Sequence, residues 1–357
     1  MIQTYTLDEC DKWDNIVCSF KKYDVYYLSG YVKAFEKNGD GKAILVYYQD
    51  TDAIREGRPM TRAINVVMKR DISEISFFKD KIGEQQWFDV VTPYGYGGFI
   101  TEGTNYQGIK REYDVFCKQE NIVAEFVRFH PVLRNWERLD DMYEVTYLGN
   151  TVCIDTTDVD TIWSNISSKN RNMIRKAKKE GLAVYWCRTP EIIKPFMEIY
   201  KATMDRDEAA SYYYFGADFY ESILNDLKHN AMWFYTMKGT EIVAISIFMF
   251  CNGQMHYHLS ASKREYSNLA PSNLLIYEAA VWAAKNGYKT LHMGGGVGAQ
   301  EDSLYKFKKS FNRGEDKQFC VGKKIYNTEM YQKLTDMRFN DSLDSDANSF
   351  FFPVYRS

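Results

Sequence analysis

MHYHLSASKREYSNLAPSNLLIYEAAVWAAKNGYKTLHMGGG, residues 255–296, is the stretch from which the fold can be read. Met255 to Ala261 sets apolar and aromatic residues among small and polar ones over a strand length. Pro271 suits a first helical turn, with Ser272 or Asn273 placed to cap it. Leu274, Leu275, Ile276, Ala279, Ala280 and Ala283 would form the core face of a helix over 271–286, which Gly287 stops. Lys289 to Met293 is a second strand, ending in Gly294-Gly295-Gly296. This is a strand–helix–strand unit, whose two strands must lie parallel.

Upstream, 232–237 and 242–250 read as strands of an antiparallel meander feeding the unit. The first half repeats the order: strand 87–92, a glycine-rich turn, helix 104–119, strand 122–129. Strands are also expected over Val25–Phe35, Ala43–Tyr48, Arg62–Met68, Tyr143–Thr151 and Val184–Cys187. One basic helix should start at Asp158 or Thr161 and stop at Gly181, and helices should follow over 191–204 and 217–229. The expectation is an α/β (α+β) chain of two similar domains, each a mixed, mainly antiparallel sheet flanked by helices. The boundaries read as 1–155, 156–330 and a C-terminal tail 331–357. A small-molecule site belongs where the strands splay and between the domains.

Composition bounds the function. The chain has 357 residues, 26% charged and 45% hydrophobic, which excludes disordered, collagen-like and coiled-coil classes. Its formal charge is −3, against a surface built wholly for nucleic acid and against DNA as a partner. Aromatics reach 16%, enough for a large core. Met1 to Cys10 shows no basic-then-apolar pattern, so no signal peptide is expected. The apolar run Ile242 to Cys251 is too short to span a bilayer. Seven scattered cysteines without Cys-x-x-Cys point to reduced thiols in cytoplasm. The acidic stretch from Thr335, ending in Phe350 to Pro353, either packs back on the body or serves as an interaction tail.

Four segments could carry chemistry. N–H groups at the helix start by Ser272 and Asn273 could hold a pyrophosphate or a carbonyl oxygen gaining charge; the bland alternative is a capped, buried helix. DSLYKFKKSFNR (302–313) sets Lys306, Lys308, Lys309 and Arg313 among aromatics, so a held ammonium competes with a solvated face. In SSKNRNMIRKAKKEG (167–181), Arg171, Arg175 and Lys178 share a helical face suited to phosphate or carboxylate; a solvated charge run is the alternative, and it fits Lys176 and Lys179. In Pro93 to Phe99, Tyr94 and Tyr96 alternate with Gly95, Gly97 and Gly98, which suits stacking on a sugar or peptide, or a tight turn covering the core. His256 and His258 alternate onto one strand face, but without a third ligand at useful spacing no metal is expected. His258 is the candidate general base, against an ordinary half-buried histidine, and His292 sits ambiguously before three glycines. Walker, nucleophile-elbow and dinucleotide motifs are missing.

Taken together, SSKNRNMIRKAKKEGLAV (167–184), YHLSAS with APSNLLIYEAAVWAAKNGY (257–288), LHMGGG (291–296) and SLYKFKKSFN (303–312) resemble the FemAB/FemX-like aminoacyltransferases, built from paired GNAT-type domains. PYGYGG (93–98) and RFHP (128–131) look like a more distant branch of that group, and the resemblance spans roughly residues 20–325. It implies acyl transfer, often of an amino acid from aminoacyl-tRNA, onto an amine of a lipid-linked or nucleotide-linked muropeptide. It implies Lys308 as the lysine facing phosphate or transition-state charge, and Arg171 and Arg175 as facing the acceptor's phosphates. Ser260, Ala261, Ser272 and Asn273 match a donor-binding strand and helix start, and Tyr305 roughly matches a tyrosine that protonates a leaving thiolate. Tyr94, Tyr96, Gly97 and His292 are the remaining acceptor candidates. Residues 188–217 hold no long charged hairpin like the tRNA-contacting arm of some members, and KREYSNLAPSN (263–273) lacks the glycines of a pyrophosphate signature. The donor therefore stays open between aminoacyl-tRNA and acyl-CoA, with no tightly bound cofactor and with tRNA as a partner only through the donor. Peripheral contact with a membrane-bound acceptor is compatible with this reading. The alternatives are an acetyl-CoA-dependent N-acetyltransferase of an amino sugar or peptide, and a silent module binding nucleotide-sugar or muropeptide. Oligomeric state is not legible.

Overall fold

A computed structural model describes residues 1–340 and 351–357 of the protein. In chain order the elements are β1 (Ile2–Tyr5), α1 (Cys10–Cys18), α2 (Ser29–Lys37), β2 (Lys42–Gln49), α3 (Asp52–Arg55), β3 (Arg62–Asp71), β4 (Phe88–Val91), β5 (Ile100–Glu102), α4 (Tyr106–Gln119) and β6 (Ile122–Arg128). Then come β7 (Glu144–Asp155), α5 (Val159–Asn165), α6 (Ser168–Lys179), β8 (Leu182–Cys187), α7 (Ile193–Arg206), α8 (Ala217–Asp226), β9 (Ala231–Lys238), β10 (Glu241–Cys251) and β11 (Gln254–Ser262). The last are α9 (Pro271–Lys285), β12 (Thr290–Gly294), α10 (Ser303–Lys309), β13 (Lys317–Ile325) and α11 (Thr328–Asn340). No described helix is long and apolar enough to cross a membrane.

The chain divides into two compact units. Unit 1 is Met1–Lys22, Tyr26–Leu148 and Phe319–Ser357; unit 2 is Tyr23–Val25 and Gly149–Gln318. The units are thus discontinuous, where the sequence suggested contiguous stretches 1–155 and 156–330 and a tail 331–357. The chain returns to unit 1 at Phe319, and residues 351–357 pack back there: Tyr355 is fully buried beside Phe78, Met330 and Leu334. Much of the acidic stretch, 341–350, lies outside the described residues.

Unit 1 carries a sheet in the order β1-β2-β3-β4-β6-β13, with β5 added to β3. β4 and β6 are parallel and joined through α4, the crossover expected for such a pair. One expectation fails here. Val25–Phe35 is a 3-10 turn followed by α2, because the carboxylate of Asp14 accepts both Ser29 N (2.8 Å) and Ser29 Oγ (2.8 Å) and so starts a helix. β1, α1, α3, β5, β13 and α11 were not anticipated.

The core of unit 1 buries the carboxyl of Glu125 among hydroxyl and amide donors. Glu125 is 0% exposed and accepts hydrogen bonds from Tyr326 OH (2.6 Å), Tyr113 OH (3.1 Å), Tyr143 OH (3.1 Å) and Asn65 Nδ2 (3.3 Å). Burial pushes its carboxyl up to about 7, while the hydroxyl and amide donors pull the other way. The native state therefore holds a proton that the unfolded chain releases near 4.5. Between those values folding binds the proton, so stability falls as pH rises. Relative to wild type, Glu125→Gln should gain about 3 kcal/mol between about pH 4.5 and pH 7.5 in urea unfolding. A constant difference across that window would refute this.

Unit 2 carries a sheet in the order β7-β12-β11-β10-β9-β8. Its neighbours are antiparallel except β11 and β12. α9 links that parallel pair and buries Leu274, Leu275, Ile276, Ala279, Ala280 and Ala283, the predicted face. The single basic helix is instead two. Asp158 caps α5 through Thr161 N (2.7 Å), and Ser167 caps α6 through Asn170 N (3.3 Å). The fold class is as expected: a mixed α/β chain of mostly antiparallel sheets with flanking helices.

Candidate functional site

The strands of unit 2 part where a site was expected. β11 runs beside β12 only over Gln254–His256 against Thr290–His292. Beyond that point β11 keeps its pairing with β10 out to Ser262, and β12 pairs with β7 to its end at Gly294. Peptide groups of β11 on the β12 side therefore leave the ladder after His256. The start of α9 belongs at the same end of the sheet, since a crossover helix begins where its first strand ends.

A bulge sits just beyond the fork. Ile247 opposes Leu259 and Phe248 opposes Tyr257, so His258 is the extra residue on β11. The extra residue explains why Tyr257 and Ser260, three apart, meet: Tyr257 OH donates to Ser260 Oγ, which also accepts from Ser246 Oγ (2.9 Å). It also breaks the alternation on which a His256–His258 pair on one face would rest. His258 is partly accessible, but its Nε2 is shut off from water, and burial together with His256 pushes the ring down to about 3. It is neutral at physiological pH and a poor acceptor for an amine proton, which corrects its assignment as general base. Ala261 is buried in the strand opposite Ile245.

The tip of β12 is braced by α10. Lys308 is 9% exposed, and its Nζ donates to Gly295 O at 2.6 Å. Burial pushes its ammonium down to about 8, opposed by the nearby Asp302 carboxylate. Asp302 caps α10 through Tyr305 N (2.8 Å) and accepts Val297 N (3.1 Å). A Cβ on Gly296 would collide with Gln300 O and Asp302 Oδ1, so this turn must be glycine. Among the candidate residues, Lys308 is thus held beside the end of a fork strand.

The α9 start differs in detail from the expectation. Ala270, in left-handed conformation (φ 56°), precedes Pro271, and no side chain caps the helix. Ser272 and Asn273 are therefore first-turn residues rather than caps. Asn273 Nδ2 donates to Asn170 Oδ1 (2.8 Å), and Asn170 Nδ2 donates to Ser310 Oγ (2.9 Å). This chain of amides fixes the starts of α9 and α6 to the end of α10. First-turn N–H groups without a side-chain cap remain directed outward along the helix axis.

Several other candidates are structural. Tyr305 is 6% exposed and donates its hydroxyl to Asp316 Oδ2 (2.5 Å), whose Oδ1 accepts Lys309 Nζ (2.7 Å). That hydroxyl is committed to Asp316, against a role as leaving-group acid. Arg171 Nη1 caps the C-terminal end of α5 at Ile166 O (2.8 Å) and Trp163 O (3.3 Å), not an acceptor phosphate. Lys178 pairs with Glu278 (2.7 Å) and Lys176 holds Asn268 O (2.8 Å), whereas Arg175 stays exposed beside Trp163.

The His292 ring is 2% exposed, with Nε2 2.8 Å from Thr151 Oγ1 and the ring 5.7 Å from that of His256. His256 Nε2 lies 2.8 Å from the buried carboxylate of Asp24. These residues lock the root of the fork. Asp24 was missed because it lies 232 residues away from His256 in the chain.

In unit 1 the Pro93–Phe99 turn packs inward. Tyr96 is 8% exposed against Tyr26, His130 and Phe319. Tyr94 is half-buried on Phe35, and a Cβ on Gly97 would press on Thr92 at 2.8 Å. The tyrosines cover the core, so stacking on a ligand by Tyr96 is corrected; Tyr94 alone keeps partial exposure.

Residues 164–309 match the family described as acetyltransferase (GNAT) domain. No curated protein sequence matches the chain. Among solved structures, FemX is similar with TM-score 0.66 and 15% identity, covering 93% of this chain and 99% of its own. A conserved protein of unknown function from Bacteroides thetaiotaomicron is similar at TM-score 0.57 and 12% identity, with coverages of 91% and 100%. L-PGS from Bacillus licheniformis is similar at TM-score 0.54 and 14% identity, with coverages of 87% and 91%. The chain has a FemX-like fold, and residues 164–309 are similar to a GNAT-type acetyltransferase domain.

Proposed function

We propose that the protein is an N-acyltransferase that moves an aminoacyl or acyl group from an activated donor to an amine of a cell-wall or envelope precursor. The observation that carries this is the parted β11–β12 pair with the buried Lys308 ammonium at its tip. The GNAT-type segment supports the reaction class, and the FemAB/FemX resemblance supports a muropeptide-like acceptor in the cytoplasm. The acceptor nitrogen attacks the acyl carbonyl, forming C–N and pushing an electron pair onto oxygen. N–H groups at the fork and the α9 start, with Lys308, stabilise that oxyanion. Its collapse breaks the C–O bond of an aminoacyl ester or the C–S bond of a thioester, and the leaving group takes up a proton as the amine loses one to water. Donor contacts fall to Ser260, Ala261, Ser272 and Asn273, and Arg175 and Tyr94 stay candidates for the acceptor.

Acetyl-CoA is the second donor reading, favoured by the description of the matched family. Thermal shifts with charged tRNA and with acetyl-CoA, followed by single-turnover transfer to a nucleotide-linked muropeptide, test both. Stabilisation by one donor and formation of an amide are expected. Tight acceptor binding with no amide from either donor would overturn the enzyme reading in favour of a binding module.

A further inference from the structure

Three hydroxyls meet on the open arm of the fork. Tyr257 is the first β11 residue beyond the pairing with β12, and Ser260 lies three residues further out. Ser246 on β10 is directly opposed to Ser260. Ser260 Oγ accepts from Tyr257 OH and from Ser246 Oγ (2.9 Å). A hydroxyl oxygen has two lone pairs and one proton, so these bonds fill its acceptor capacity and leave it a donor only. Neither bond uses the Ser260 proton. Burial fits this orientation: Ser246 is 1% exposed, whereas Ser260 is half-buried, so the proton left over sits nearer the surface.

The three side chains share the face of the sheet that α9 covers. Phe248, opposed to Tyr257, and Ala244, two residues before Ser246, both belong to the core that holds the buried side of α9. Thr236, opposed to Ala244, donates its hydroxyl to Pro271 O (3.2 Å) at the helix start. The Ser260 hydroxyl and the uncapped first turn of α9 therefore lie on one side of the parted strands.

We propose that Ser260 is a catalytic residue whose O–H donates to the acyl carbonyl oxygen as that oxygen gains charge, and that Tyr257 and Ser246 are positioning residues that aim and polarise it. The assignment rests on the acyl-transfer reading given above. As the amine nitrogen forms the C–N bond, the carbonyl π pair moves onto oxygen and the hydrogen bond from Ser260 strengthens. When the C–O or C–S bond to the leaving group breaks, that pair returns to the carbonyl, and the serine keeps its proton throughout. A hydroxyl that already accepts two bonds is a stronger donor than an isolated one, because chained hydrogen bonds polarise each other. The cluster does not serve as a base for the amine: burial pushes the Tyr257 phenol up, with Ser260 and Ser246 pulling the other way, so it stays protonated at neutral pH.

The test is amide formation on a nucleotide-linked muropeptide with acetyl-CoA and with charged tRNA, in variants whose folding is checked by circular dichroism. Ser260→Ala should lower kcat about 10²-fold with the donor KM unchanged, since the bond strengthens only as charge develops. Ser260→Thr keeps the hydroxyl and should recover most of the rate. Tyr257→Phe should cost about tenfold in the wild-type background and nothing further beside Ser260→Ala, because it acts only through that hydroxyl. Ser260→Ala at the wild-type rate, Ser260→Thr no faster than the alanine variant, or equal losses from Tyr257→Phe in both backgrounds would overturn the assignment and leave acyl transfer standing. Where the alanine variant does not fold, wild-type kcat in Tyr257→Phe overturns it alone. A wild-type chain that forms no amide from either donor overturns the acyl-transfer reading and this assignment with it.

Discussion

Lys308→Met is expected to slow acyl transfer by about 10²–10³ and, at neutral pH, to make the protein more stable. Both effects follow from one placement. The ammonium is buried at the tip of β12 with Gly295 O as its hydrogen-bond acceptor, and burial holds it at about 8 rather than 10.5. Below about pH 8 the lysine is charged in both states, and the native state bears the full desolvation cost. Between about 8 and 10.5 the unfolded chain binds a proton that the native chain does not, so wild-type stability rises with pH. After subtracting the lost bond to Gly295 O, methionine should gain about 2 kcal/mol near pH 7. The gain should fade above about pH 10, once both states are neutral. Unfolding in urea at several pH values measures it, and a methionine variant less stable than wild type at pH 7 sinks the idea. For catalysis, losing a charge donor to an oxyanion costs about 10²–10³ in rate. The pH profile separates roles: an ammonium donor predicts activity falling through about pH 8, whereas an amine acting as base predicts activity rising there.

The parts of the molecule that were legible share a physical reason. β11, α9 and β12 are close in sequence, and each carries its own signal: a strand run, a proline-started apolar helix, a glycine stop. The buried lysine was only half readable: Tyr305, Phe307 and Phe311 suit a packed segment, but a solvated helical face fits the same run of lysines. The misreadings come from contacts made at a distance. Val25–Phe35 is apolar and aromatic like a strand, but nearly all of its residues are buried, which hides the helical period, and its cap comes from Asp14. Arg171 looks like a phosphate ligand until α5 ends beneath it and offers carbonyls. Asp24 carries no local signal for its place against His256, and the His258 bulge is a property of register with β10.

Removal of residues 351–357 is expected to unfold unit 1 or to cost it about 5 kcal/mol or more, and the reason is a buried carboxylate rather than the length of chain lost. Asp89 is 0% exposed on β4 and takes two guanidinium groups: Arg70 on Oδ1 at 2.7 Å and Arg356 on Oδ2. Tyr355 OH adds a donor at 3.3 Å, and its ring fills a pocket with Phe78, Ile72, Met330 and Leu334. Burial pushes the Arg70 guanidinium down and Asp89 supports its charge, while Arg356 repels it. Losing Arg356 therefore has two opposed effects: Asp89 Oδ2 loses its ion pair, and Arg70 is relieved of a like charge. The first dominates, because an uncompensated buried lone pair costs more than a repulsion already offset by the shared carboxylate. Arg356→Met should cost about 3 kcal/mol and Tyr355→Ala about 4. Because both touch Asp89, the double variant should lose less than the sum, and the cycle measures that coupling. Additive losses, or a truncated chain as stable as the full one, would show that Asp89 is satisfied without the C-terminal segment.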